Sequence, residues 1–158
     1  MIEKIISGGQ SGADRAALDV AISLNMAHGG HCPKGRVAED GIISPKYSLE
    51  ESNHRKPLFR TRQNVLSSDA TLIFCFSSDT AHQDGTGATI DFCKRHKKDF
   101  FLHTPSDSKA DEKCIKWLSG IRPLVILNIA GPRSSIWGIS YQYTHQHLTK
   151  ILTAYFKQ

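Results

Sequence analysis

The chain has 158 residues, 39% of them hydrophobic and 22% charged, with a formal net charge of +5. That length suits one domain over residues 1–158 with a hydrophobic core of its own, and the composition excludes a disordered or fibrous chain. No apolar run approaches the roughly 20 residues of a membrane span, and residues 1–6 lack the apolar core of a signal peptide. A cytoplasmic protein with no membrane partner is therefore expected.

Residues 2–6 read as a buried strand, closed by a glycine-rich turn at 7–12. Residues 13–25 read as a helix with Ala16, Ala17, Val20 and Leu24 on one face. A short second strand is expected near 26–29. From 30 to 57 the chain is rich in Pro, Gly, Ser and charge, with no long periodic element. A connection of that length inside a compact domain is usually functional or mobile.

A helix over 59–67 and a strand over 70–76 come next. A helix over 86–96 opens directly after a glycine turn, followed by a strand at 100–103, a helix at 107–118, a strand at 124–130 and a helix at 139–156. The last helix carries Tyr141, Tyr143, Leu148, Ile151, Leu152, Tyr155 and Phe156, which could pack within or between chains. Strands and helices thus alternate, which predicts an α/β fold: a doubly wound, mostly parallel sheet with helices on both faces. Right-handed crossovers place the turns at 7–12, 77–86 and 131–135 along one crevice at the carboxyl edge.

Those turns carry the chemistry. Ser7, Gly8, Gly9, Gln10, Ser11 and Gly12 follow a strand and open a helix, where free N–H groups favour negative charge. The run is neither a Walker A sequence nor a complete dinucleotide-binding fingerprint, and ordinary turns also use glycine. Asp14 at the helix start is either a ligand contact or a complement to the helix dipole. In the second turn Gly85 and Thr86 begin a helix and can hold another anionic group, with Thr89 facing a similar way; Thr86 can also be a plain N-cap. Arg133, beside glycine and proline and followed by serines, suits a phosphate or carboxylate clamp, or an ordinary solvated turn. In the long connection Lys34 and Arg36 flank one glycine, which fits either a solvated loop or a lid that brings cations to a bound anion.

Other features have ordinary readings. Cys32, Cys75, Cys93 and Cys114 form no CxxC pair and read as free thiols. His28, His31 and Cys32 could form part of a zinc site, but their spacing matches no standard one. The basic run from Lys94 to Lys98 reads as a solvated helix end, and without interleaved aromatics a nucleic-acid partner is not expected. No nucleophile–base pair stands out; His103 follows a strand and could reach the same edge of the sheet, though a lone strand-end histidine is more often structural.

Four blocks resemble the molybdenum carrier (molybdenum cofactor carrier-like) family. They are residues 5–19 (IISGGQSGADRAALD), residues 28–41 (HGGHCPKGRVAEDG), residues 64–73 with Asn64, Val65 and Ser68-Asp69-Ala70, and the turn Gly85-Thr86-Gly87-Ala88-Thr89. The resemblance implies a Rossmann-like fold, shared with lysine-decarboxylase-like and cytokinin-activating proteins, and binding of a molybdopterin-type cofactor. The cytokinin-activating hydrolases carry a PGGxGTxxE motif. Here Thr89 stands where their acidic residue would be, and Ala81-His82-Gln83 replaces the leading Pro-Gly-Gly. Asp91 lies about 200° further round the helix and substitutes poorly.

The expected function is therefore a binding or carrier protein rather than an enzyme. Its loops would hold a phosphate-bearing small molecule, with Lys34, Arg36 and Arg133 neutralising charge. The alternative is an enzyme or sensor acting on a nucleotide or nucleoside monophosphate, with Asp14, Glu39 or Asp91 as acid or base. A homo-oligomer is expected because proteins of related fold often assemble.

Overall fold

A computed structural model describes residues 1–79 and 85–158. Ala81, His82 and Gln83, in the turn expected at 77–86, lie outside the described residues. The strands are β1 (Lys4–Ile6), β2 (Ala27–Gly29), β3 (His31–Cys32), β4 (Val37–Ala38), β5 (Gly41–Ile42), β6 (Glu50–Glu51), β7 (Ala70–Phe74), β8 (Asp99–His103) and β9 (Ile126–Ala130). The helices are α1 (Ala13–Ser23), α2 (Pro57–Leu66), α3 (Gly87–Arg95), α4 (Ala110–Gly120) and α5 (Ser140–Phe156).

Five strands form a central sheet in the order β2-β1-β9-β7-β8, every pair parallel. Burial on both faces explains why β7 is buried at every position and apolar at all but Thr71, rather than alternating. Its Ala70, Leu72 and Phe74 join the core under α1, α4 and α5, where Leu127 and Ile129 of β9 also point. Ile73 faces the other way, against Ile90 of α3, and Val65 of α2 packs beside Phe92 and Cys93. The architecture is the Rossmann-like α/β fold.

The long connection is more ordered than its composition predicts. β3 pairs with β6 and β4 with β5, and beneath them Leu18, Cys32, Ala38, Ile43 and Tyr47 form a small core. Two-residue strands carry no periodic signal, so pattern reading passes over them. α2 starts at Pro57, earlier than the periodicity placed it, with proline in the first turn where its missing N–H does no harm. Leu148, Ile151 and Leu152 of α5 pack within the chain, while Tyr141 and Phe156 are exposed.

Lys94 and Arg95 occupy the last turn of α3. Lys98 donates to the carbonyls of Ser68 (2.7 Å) and Leu66 (3.4 Å) and so closes the end of α2. All four cysteines are free and buried. Among the described residues no helix is long and apolar enough to cross a membrane.

Candidate functional site

Where β1 and β7 feed helices on opposite faces of the sheet, a cleft of about 370 Å³ opens over the carboxyl end of β9. Its size falls among small-molecule pockets. Gly8, Gln10 and Asp14 line it from the first turn, Gly85 and Thr86 from the second, and Gly131 and Arg133 from the third. Six of the residues expected from sequence therefore meet there: Gly8, Gln10, Asp14, Gly85, Thr86 and Arg133.

Ser7, Gly9, Ser11 and Gly12 build the frame behind that wall. The Ser7 hydroxyl donates to the Asp14 carbonyl at 2.8 Å, and the Gly9 carbonyl accepts from Arg15 at 3.0 and 3.1 Å. Ser11 donates to Glu39 and accepts from the Ser134 N–H at 3.1 Å. Glu39 in turn accepts from the Ser135 N–H at 3.1 Å and hydroxyl at 2.5 Å, and lies 3.4 Å from Arg133 Nε. The Ser11 and Ser135 hydroxyls hold the Glu39 carboxyl below the usual range. One carboxylate from the long connection thus ties the first turn to the third.

The close approach that glycine permits at Gly8 is to the protein itself. A methyl there would run into the Arg60 guanidinium and stand 2.8 Å from Asp14 Oδ2. Arg60, on α2, donates to Asp14 Oδ2 at 2.8 Å, and the Gln10 N–H approaches the same oxygen at 3.3 Å. Burial pushes the Asp14 carboxyl up, opposed chiefly by Arg60.

Lys34 is exposed and Arg36 half-buried, and neither lines the cleft. Arg36 adopts a positive φ of 55°. Its guanidinium donates to the carbonyls of Ser44 (2.7 Å), Tyr47 (3.0 Å), Ile43 (3.2 Å) and Leu49 (3.3 Å). The side chain clasps its own connection instead of reaching the crevice. Arg36→Met is expected to lower global stability by about 2 kcal/mol, since charge-assisted bonds to four carbonyls disappear. It should also make residues 37–49 sensitive to thermolysin; unchanged digestion would mean that the clasp does not order the connection.

Sequence reading missed the α2 wall, which is Pro57, Leu58, Arg60, Thr61 and Asn64, together with Asn128 and Ile136. Arg60 and Asn64 are a polar i, i+4 pair, so they share one face of their helix. That spacing was the available signal, but which way the face turns depends on docking. Asn64 is itself engaged, accepting from the His31 N–H at 2.7 Å and donating to the His31 carbonyl at 3.0 Å. Asn128 donates to Thr71 Oγ1 at 3.2 Å.

Electrostatically, the described wall holds two arginines, Arg60 and Arg133, against one carboxylate, Asp14. The N-terminus of α3 also opens onto the cleft, and Thr86 makes no side-chain cap there. Backbone N–H groups and the helix dipole add positive potential at that point. Leu58 and Ile136 supply exposed apolar surface at the rim.

Comparison with known proteins places this architecture. Residues 5–152 match the family model described as cpYpsA, circularly permutated YpsA SLOG family. The chain is similar to the crystal structure of a "Putative molybdenum carrier protein" from Syntrophus aciditrophicus SB, with 38% identity and a TM-score of 0.87 over 96% of this chain and 95% of that one. No curated protein matches it. The chain belongs to the circularly permutated YpsA SLOG family, a molybdenum-carrier-like family of Rossmann-like α/β proteins.

Proposed function

We propose that this chain is a binding or carrier protein that holds an anionic, phosphate-bearing ligand in the cleft, with a molybdopterin-type cofactor as the ligand class. The observation that carries this reading is the placement of Arg133: its side chain is half exposed on the cleft wall, held by Glu39 at 3.4 Å, and shares the cleft with the N-terminus of α3, while Arg60 neutralises the wall carboxylate Asp14. A phosphate would sit between the α3 N-terminus and Arg133. A flat heterocycle would lie between Leu58 and Ile136, with the Gln10 amide near its polar edge. The carrier name of the similar Syntrophus protein supports the choice of ligand class.

Native mass spectrometry of gently purified protein, followed by denaturation, identifies any small molecule that the cleft retains. A released pterin phosphate is expected. Its affinity should fall about tenfold or more in Arg133→Ala, because a charge-assisted contact is lost. Lys34→Ala should bind as the parent does. Equal retention by Arg133→Ala and the parent would sink the proposed placement.

A second reading, an enzyme acting on a nucleoside monophosphate, is favoured by one observation. Of Asp14, Glu39 and Asp91, only Asp14 lines the cleft. It predicts release of free base from a nucleoside monophosphate panel, lost in Asp14→Asn; silence across the panel would dispose of it.

A further inference from the structure

A second polar cluster lies under α4 and α5, apart from the cleft wall. His103 ends β8, Asp111 stands in the first turn of α4, and His147 lies along α5. His103 Nε2 is 2.8 Å from Asp111 Oδ1, and His147 Nδ1 is 2.7 Å from the same oxygen. These donor atoms all fall within 4.8 Å of one another, the one such grouping among the described residues. None of the three lines the cleft.

We infer that His103, Asp111 and His147 form a binding site for a divalent transition metal of the zinc class. The ligands are Nε2 of His103, a carboxylate oxygen of Asp111 and Nδ1 of His147. Two imidazoles and one carboxylate are a donor set that such ions prefer, and three protein ligands leave a position for water. The three residues come from a strand end and two helices that share one core, so the site rests on rigid elements.

An outer shell is also in place. His103 Nδ1 meets the Tyr143 hydroxyl at 2.9 Å. In the metal-free chain Nε2–H donates to Asp111 and Nδ1 accepts from the Tyr143 hydroxyl; in the metal-bound chain the tautomer reverses, Nδ1–H donating to the Tyr143 oxygen and Nε2 being left for the metal. A partner of this kind commonly fixes tautomer and ring orientation at a metal-bound histidine. Phe74 packs against the His103 ring at 5.0 Å between centroids, and Trp137 against Tyr143 at 5.1 Å. These rings exclude water from the inner side.

The outer side admits an ion. The His103 side chain is 1% exposed, but Asp111 is 30% and His147 22% exposed. The present contacts are hydrogen bonds, shorter than the separation of about 3.3 Å between ligands around a tetrahedral zinc. Metal entry therefore requires Asp111 to withdraw by about half an ångström and the two ring nitrogens, now within 4.8 Å, to settle about 3.3 Å apart, movements that the partly exposed Asp111 and His147 leave room for.

The test uses the full chain after chelator treatment, titrated with Zn²⁺ by calorimetry and with Co²⁺ by visible absorption. One ion per chain is expected, with the ligand-field bands of four- or five-coordinate Co²⁺. His147→Gln and Asp111→Asn should each weaken binding by about tenfold or more, and Tyr143→Phe by about tenfold. Because His147 and Asp111 are partly exposed, these variants should keep the parent's circular dichroism and cooperative melt. His28→Ala should leave binding unchanged. No saturable binding by the parent chain would overturn the site, as would full-strength binding in His147→Gln or its loss in His28→Ala.

Discussion

Arg60→Met is expected to lower stability by about 3 kcal/mol and to abolish retention of the anionic ligand. The Arg60 and Asp14 side chains are 12% and 6% exposed and meet at 2.8 Å. Removing the guanidinium leaves a buried carboxylate with only the Gln10 N–H at 3.3 Å. For a chain of this size the melting temperature should drop by about 6–12 °C.

The deficit should also depend on pH. Burial already raises the Asp14 carboxyl above its ordinary value, and Arg60 is the main opposing influence. A carboxyl raised in the folded state favours folding while protonated. Its contribution is present below the unfolded value of about 3.9 and is lost as pH rises through the folded value. Without Arg60 the folded value climbs further, so the variant suffers most at neutral pH and recovers on acidification. Urea midpoints for parent and variant at about pH 7 and pH 5 would show the gap narrowing at the lower pH. Adding Asp14→Asn to the variant should restore part of the loss, since it removes the stranded charge. A gap independent of pH would mean that Asp14 finds another partner or water.

Gly12→Ala is expected to cost at least about 3 kcal/mol and to part the first turn from the third. Gly12 has φ 81° and ψ −130°, backbone that side-chain-bearing residues rarely adopt. A methyl there would stand 2.5 Å from the Pro132 carbonyl oxygen and 2.9 Å from the Ser134 nitrogen, and would meet the Ser140 hydroxyl. Two of these are backbone atoms and cannot swing aside. Gly41→Ala provides the control: its φ is 118°, but nothing lies within 4 Å of the added methyl. Only backbone strain, about 1–3 kcal/mol, should appear there. Thermal melts of the two variants therefore separate strain from packing, and equal losses would show that the turns are not closely joined. Because the third turn carries Arg133, Gly12→Ala should also weaken phosphate-ligand binding.

Much of the frame was legible before any coordinates. β1, α1, β7, β9 and α5 follow from apolar runs bounded by glycine turns, and their alternation implies a parallel sheet whose turns share one edge. From that edge alone Asp14, Thr86 and Arg133 could be placed in one crevice. Arg36 shows the limit of such reading. A cation beside glycine in a long polar connection looks free to reach a ligand, yet four carbonyls that converge only after β3–β6 have folded take up its guanidinium. Arg60 shows the converse. Only its i, i+4 spacing with Asn64 marks it locally, and it becomes part of the site because α2 docks with that face over Gly8.

The sequence by itself thus determined the strand–helix alternation, the shared edge and the glycine turns, because periodicity and turn chemistry are properties of neighbouring residues. Which charges face the cleft and which are engaged inside the protein was decided only by tertiary structure. The same holds for the meeting of His103, Asp111 and His147. A cation's availability and a ligand cluster's closure depend on distances between groups far apart in the chain, and only the packed sheet and helices set those distances.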